Sequence, residues 1–162
     1  MKARFMVDPA LAGIAGAVCA VSLAVSGALL WIQRPGSAAV FLVIGLLFLG
    51  LCLINASVVK ADEDGITRRL GPVRIRHFSW EEIREFGVCG TKVFNGANSK
   101  KTGRLYFYCS KTTMDDDQRF SMILKWPPKE QIYFLYTEKR LESLRQARDF
   151  SVETYNTGDL RL

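Results

Sequence analysis

Two long uncharged stretches near the start of the sequence constrain the fold of this chain more than any other feature. No residue is formally charged in residues 9–33, and the same is true of residues 35–59. Each stretch is longer than the roughly 20 apolar residues that an α-helix needs to cross about 30 Å of hydrocarbon. The sequence therefore predicts two transmembrane helices, at about 10–32 and 37–59.

The short segment between the two stretches predicts a tight reversal. Pro35 cannot continue the first helix, and Gly36 permits a sharp turn. The two helices are therefore expected to be antiparallel neighbours. Small residues recur every four positions in the first helix, at Ala12, Gly16, Ala20 and Ala24. They predict the face of this helix that contacts the second one. The alternative is that they reflect only the abundance of small residues in membrane helices.

Basic residues in the flanks predict the orientation. Lys2 and Arg4 precede the first stretch, Arg34 alone lies in the turn, and a larger group follows the second stretch: Lys60, Arg68, Arg69, Arg74 and Arg76. Because cytoplasmic flanks carry the excess of Lys and Arg, we expect a multi-pass protein of the cell membrane with both termini cytoplasmic. A cleaved signal peptide is the alternative, although the first stretch is long for one and a second span follows it closely.

The charge and the cysteine content of the chain limit the kinds of binding site that it can contain. Lys and Arg number 22 against 16 Asp and Glu, which gives a net charge of +6. Such a balance favours contact with anionic lipid headgroups or nucleic acid. The four cysteines form no CxxC motif, and His77 is the single histidine, so we predict no metal site and no cofactor.

Alternating β-favouring runs separated by turn residues predict a compact domain at residues 60–150 and a loose tail at 151–162. The Asp64-Gly65 pair suits a hairpin turn. The expected strands are 66–70, 73–78, 83–93, 104–109 and 132–136, with a polar loop at 95–103. Thr113 followed by Asp115, Asp116 and Asp117 has the composition of a helix start. A helix is therefore expected near Asp115 to Leu124, with Phe120, Ile123 and Leu124 as its apolar face. Thr137 is expected to cap a final helix in register with Leu141, Leu144 and Ala147.

The 73–78 strand supplies the candidate binding site. Its alternation predicts one buried face with Val73, Ile75 and His77, and an opposite face with Arg74 and Arg76. Together with Arg68 and Arg69, these arginines form a candidate lipid- or partner-binding site. The alternative is that they reflect membrane topology alone, since basic residues are expected after a span.

The run from Asp64-Gly65-Ile66 through Phe78-Ser79-Trp80-Glu81-Glu82-Ile83 resembles the W-x-x-I signature of bacterial pleckstrin-homology-like (PH-like) domains. The order of two membrane helices, such a domain and a final amphipathic helix is similar to small bacterial membrane proteins of the YcxB-like kind. The resemblance implies an α+β membrane protein: a transmembrane helical hairpin followed by a PH-like open β-barrel or sheet that a C-terminal helix caps. It also implies a binding or scaffolding module, because members of this fold are generally ligand-binding platforms.

Three functions follow as hypotheses. The first is a non-enzymatic, membrane-anchored module that binds a protein or peptide partner, and the second is recognition of an anionic lipid surface. The third, an accessory subunit of a transporter or membrane enzyme, has little support, because His77 reads as a core histidine and residues 115–117 as a solvated helix start. Nucleic-acid binding is not expected, since Tyr106, Phe107 and Tyr108 read as strand and core residues.

Overall fold

The computed structural model describes residues 3–91, 103–146, 148 and 150–157. It divides into two compact units: a helical unit, Met6–Ser57, and a sheet unit that combines Met1–Phe5 with Val58–Leu162. Most of the loop expected at 95–103 lies outside the described residues.

The helical unit is a hairpin of α1, Pro9–Trp31, and α2, Pro35–Ala56. The side chain of Asp8 caps α1 by accepting a 3.0 Å hydrogen bond from the backbone N–H of Leu11. Both helices are long and apolar enough to cross a bilayer. Only 22% and 11% of their most apolar windows are buried, whereas the core helix of a water-soluble protein is mostly buried. This hairpin is therefore compatible with association with a membrane.

The contact face of α1 differs from the predicted one. Its buried residues are spaced three and four apart: Ala12, Ala15, Cys19, Ser22 and Ser26. Ala20 and Ala24 are exposed, so their predicted place in the contact is wrong. Four residues turn an α-helix by about 400°, so a four-residue repeat drifts around the helix, whereas alternating steps of three and four hold one face. Ser26 Oγ also donates a 2.8 Å hydrogen bond to the Ala38 carbonyl of α2.

The sheet unit contains two four-stranded sheets. The strand order of the first is β1-β2-β3-β4, and that of the second is β7-β6-β5-β8. The strands of the first sheet are β1 Ala3–Met6, β2 Val58–Ala61, β3 Gly65–Leu70 and β4 Val73–Ser79. Those of the second are β5 Glu85–Gly90, β6 Leu105–Ser110, β7 Ile132–Leu135 and β8 Glu153–Tyr155. The helices are α3 Asp116–Leu124 and α4 Glu138–Arg145.

The mixed α+β class is confirmed, but the sheets differ in detail from the expectation. They are open and do not close into a barrel. The second helix ends at Ala56, and Val58–Ala61 is a strand instead of the end of a span. The segments predicted as N-terminal flank and loose tail each contribute a strand, β1 and β8, and β8 pairs with β5 in parallel.

The core of the sheet unit is aromatic. Phe107, Tyr108 and Phe134 are fully buried, and Tyr106 is 2% exposed, which confirms that the 106–108 run is core. The rings of Phe107 and Phe134 lie 5.1 Å apart, and that of Phe86 lies 5.5 Å from Phe107. Such ring pairs contribute about 0.5–1.5 kcal/mol beyond the area that they bury.

The two short helices begin at the predicted residues. Asp115 caps α3 in a capping box with Gln118, and Thr137 caps α4. On α4 the predicted Leu141 and Leu144 are buried, while the side chain of Ala147 lies outside the described residues. On α3 Ile123 is buried together with Met122, but Phe120 and Leu124 are 44% and 54% exposed, so the predicted apolar face is partly wrong.

Candidate functional site

The four arginines proposed from the sequence do not converge. Arg68 is paired with Arg76 across β3 and β4, and Arg69 is paired with Arg74, with a register shift between the two pairs. Cross-strand partners share a face and neighbouring residues alternate. Arg68 and Arg76 therefore lie on one face of the sheet and Arg69 and Arg74 on the other.

Arg68 and Arg76 are on the inner face, which they share with the buried Ile66 and Phe78. Arg68 is only 9% exposed, and its guanidinium lies 4.6 Å from the centre of the Tyr133 ring. Arg76 Nη1 donates a 3.4 Å hydrogen bond to the Gln131 carbonyl. These two side chains therefore hold the first sheet against the segment that enters β7.

Arg69 and Arg74 are exposed at the tip of the β3–β4 hairpin, beside Val73 and Ile75. Val73 is 63% and Ile75 49% exposed, so the prediction that their face is buried is wrong. Arg76 shares the inner face with the buried Phe78 because the two residues are two positions apart in regular register. The register shift leaves Ile75 without a cross-strand partner and places Arg74 opposite Arg69 on the outer face. His77 is half-buried on the outer face, and its Nδ1 lies 2.8 Å from Thr67 Oγ1.

A buried carboxylate joins α3 to the second sheet. The side chain of Glu85 is 2% exposed, and Oε1 accepts hydrogen bonds from Tyr108 Oη at 2.6 Å and Arg119 Nε at 3.0 Å. Its Oε2 accepts a 2.6 Å hydrogen bond from the backbone N–H of Met114. Arg119 Nη1 also pairs with Asp116 at 3.0 Å. Three donors therefore use both oxygens of Glu85, which indicates a structural role.

This network shifts the ionisation of its members. Burial opposes the charged form of Glu85, but the hydrogen bonds from Arg119, Met114 and Tyr108 outweigh it and hold the pKa of Glu85 below its ordinary value of 4.5. Burial and the neighbouring Glu85 raise the pKa of the Tyr108 hydroxyl. The carboxylate therefore remains charged throughout the physiological range.

Beside this network an open cavity of about 320 Å³ lies in the sheet unit. We call it the arginine cleft and define it by six lining residues that come from two separate stretches of chain. They are Trp80, Arg84, Phe86, Arg148, Phe150 and Glu153. Arg119 and Glu85 line its inner side. The volume is at the small end of the range for ligand pockets, and it suits one side chain or a small ligand.

The aromatic walls of the cleft are fixed by their own contacts. Trp80 Nε1 donates a 2.8 Å hydrogen bond to the Asp62 carbonyl, which orients the indole. The rings of Phe86 and Phe150 lie 4.3 Å apart, and Phe86 is 4% exposed. Since these rings are already held in place, a ligand that enters the cleft does not need to order them.

Two cations of the cleft, Arg84 and Arg148, have exposed side chains. Among the described residues, neither Arg84 nor Arg148 forms an ion pair. Arg148 lies 5.8 Å from the centre of the Trp80 ring. Glu153 is the exposed carboxylate of the lining, whereas Glu85 and Arg119 neutralise each other. Among the lining residues that the structure describes, Arg84 and Arg148 against Glu153 leave one excess positive charge.

The remaining candidate groups have structural partners. Asp115 caps α3, and Asp116 pairs with Arg119. Within the described ranges no group of three or more His, Cys, Asp or Glu side chains is arranged to hold a metal ion. Burial raises the pKa of Cys89 to about 12 and also raises that of Cys109, so neither thiol is a ready nucleophile.

Sequence reasoning did not find the arginine cleft. Its cations lie far apart along the chain: Arg84 just precedes β5, and Arg148 follows α4. Only the W-x-x-I run marked Trp80 as notable. Comparisons of this chain with protein-family models, with curated proteins and with solved structures gave no match.

Proposed function

We propose that this protein is a membrane-anchored, non-enzymatic binding module that presents its sheet unit to a protein or peptide partner at the cytoplasmic face of the cell membrane. The observation that carries the proposal is the pairing of β1 with β2 in one sheet. β1 ends at Met6 just before α1, and β2 begins at Val58 just after α2. A hairpin that spans the bilayer returns both strands to the same side, where they pair.

Two surfaces of the sheet unit support a role in binding. β4 is an edge strand of the first sheet, and an edge strand can accept an extended segment through its free backbone groups. The arginine cleft adds a concave surface with fixed rings and exposed cations. Both surfaces are suited to a protein or peptide.

The PH-like identity is part of the proposal. The order of two helices, a run of strands and α4 after β7 supports it, as does the position of Trp80 and Ile83 between β4 and β5. The β1 strand before the helices and the β8 strand after α4 are additions to that pattern. They tie the segments before α1 and after α4 into the two sheets.

The non-enzymatic reading is supported by how the reactive groups are used. His77 contacts Thr67, and three hydrogen bonds occupy both oxygens of Glu85. The thiols of Cys89 and Cys109 have raised pKa values because they are buried. Each group therefore has a structural explanation.

A second candidate function is recognition of an anionic lipid surface by the tip of the β3–β4 hairpin. Arg69 and Arg74 lie there beside the exposed Val73 and Ile75, and Arg69 pairs with Val58, two residues after the end of α2. Cations next to apolar side chains suit the interface of an anionic leaflet. This function needs no protein partner.

Co-purification in mild detergent tests the two candidates. The wild-type chain is compared with the Arg69→Gln/Arg74→Gln variant. A stoichiometric protein that remains with both chains supports the binding module. Recovery of anionic lipid alone, lost in the variant, supports the lipid surface and overturns the first proposal.

A further inference from the structure

We propose that the arginine cleft binds a carboxylate that a protein partner carries beside an aromatic or aliphatic side chain. The inference rests on the proposed function, which it deepens by naming the chemistry that the partner presents. It assigns the recognition to the cleft and not to the arginines of the β3–β4 hairpin. The partner is expected to present the carboxylate of an acidic residue or of its C-terminus next to a hydrophobic side chain.

The charge of the cleft selects an anion. Glu85 and Arg119 satisfy each other, so they leave Arg84 and Arg148 as the available cations, and Glu153 offsets one of them. One excess positive charge among the described lining residues suits a single carboxylate. Guanidinium groups favour carboxylates because two of their N–H groups can donate in parallel to the two oxygens.

The aromatic walls select the group beside the anion. Trp80 and Phe150, with the buried Phe86 behind them, offer apolar surface in the same cavity as the two cations. The Trp80 indole is held by its hydrogen bond to the Asp62 carbonyl, and the Phe150 ring packs at a tilt against Phe86, so this surface is formed before any ligand arrives. A free inorganic anion leaves these rings unused, whereas a hydrophobic side chain covers them.

The size of the cleft favours a protein segment over a lipid headgroup. A volume of about 320 Å³ holds one large side chain with its neighbouring carboxylate. A phospholipid presents its phosphate between polar ester groups, so the anion of a lipid has no apolar group at the same depth. The segment therefore comes from a protein.

Small probes test this chemistry on the full chain in micelles of a zwitterionic detergent. The probe is N-acetylphenylalanine, which has a ring and a carboxylate, and its control is N-acetylphenylalanine amide, which keeps the ring and lacks the charge. The readout is the NMR signal of the Trp80 indole N–H, assigned by its loss in Trp80→Phe. We expect a saturable shift with the acid and none with the amide.

Variants locate the binding. Arg84→Gln/Arg148→Gln should weaken binding of the acid by at least about tenfold, because both charge-assisted contacts are lost. Arg69→Gln/Arg74→Gln removes the same amount of charge from the β3–β4 hairpin and should leave binding of the acid unchanged. Glu153→Gln removes the competing carboxylate and should strengthen binding, which keeps the test decisive if the double arginine variant does not fold.

Several results would overturn the inference. They are equal binding of the acid and the amide, unchanged binding in Arg84→Gln/Arg148→Gln, and an equal shift with inorganic phosphate or with nanodiscs of anionic lipid. If N-acetylphenylalanine causes no shift of the Trp80 indole N–H signal but a stoichiometric protein still co-purifies, the cleft is rejected as the binding site and the proposed function is kept. Probe binding as expected with no co-purified protein keeps the anion-binding cleft and rejects the proposed function.

Discussion

The helical unit and the sheet unit use apolar residues in opposite ways. The helices pack through small residues such as Ala12, Ala15 and Ser22, and they turn large side chains such as Leu47 and Trp31 outward. The sheet unit buries its large rings and surrounds them with charged side chains. The outward apolar surface of the helical unit is compatible with association with a membrane, because large exposed apolar surfaces are unfavourable in water.

The largest expected effect tests the buried carboxylate of the sheet unit. Glu85→Ala leaves Arg119 and Tyr108 without their shared acceptor, and breaking such a buried pair costs about 3–5 kcal/mol. The near-ultraviolet circular dichroism of the sheet unit should melt at a much lower temperature, while the helical signal of the hairpin persists. Glu82→Ala, at an exposed carboxylate paired with Lys111, is the control and should melt like the wild type. Equal melting of the two variants contradicts the structural role of Glu85.

A smaller effect tests the packing of the aromatic core. A methyl group on Gly87 would fall inside contact distance of the Tyr108 ring, which is fully buried. Gly87→Ala should therefore destabilise the sheet unit by about 1–3 kcal/mol, as overpacked cores do. The apparent melting temperature measures the loss, and Tyr108→Phe in the same chain should not restore it, because Cζ of the ring also clashes.

A comparable test in the hairpin uses two glycines of α2. A Cβ on Gly45 would lie 2.9 Å from Leu23 Cδ2, whereas Gly50 has no atom within 4 Å. Gly45→Leu should loosen the contact between α1 and α2 by about 1 kcal/mol or more, and Gly50→Leu should not. Disulfide formation between cysteines introduced across the two helices reports the difference. If both variants form the disulfide as readily as the parent chain, the close packing of α1 and α2 at Gly45 is contradicted.

The smallest expected effect is the dependence of stability on pH. The pKa of Glu85 is lowered in the folded chain, so its contribution is fully present above its ordinary value of 4.5 and is lost as the pH falls through the lower folded value. The apparent melting temperature of the sheet unit should fall in that acidic range. Glu85→Gln should flatten this part of the profile, and an unchanged profile would contradict the lowered pKa.

Local signals in the sequence predicted much of the fold. The side chains of Asp115 and Thr137 each accept a hydrogen bond from the backbone N–H three residues ahead, and both residues cap helices that the sequence predicted. The two uncharged stretches likewise determine α1 and α2 by composition and length. These features depend on neighbours along the chain, so one sequence is enough to read them.

The features that were missed depend on distant partners. β1 and β8 are only four and three residues long and exist because β2 and β5 pair with them. Alternation along β4 does not determine which face is buried, and Arg76 lies on the face of the buried Phe78. The bulge that places Arg74 on the opposite face from Arg76 is also not revealed by alternation. Arg84 and Arg148 are far apart in the sequence, and only the fold brings them into the same cleft. No sequence motif therefore predicts the arginine cleft.

The most direct test of the membrane-anchored module is the sidedness of its ends. Protease-cleavable tags at both ends, and a cysteine introduced by Gln33→Cys, are probed in sealed membrane vesicles of each orientation. We predict that both tags are cut from the cytoplasmic side only and that residue 33 is labelled from the opposite side only. Tags on opposite sides, or a chain that alkaline washing removes from the membrane, would contradict the account.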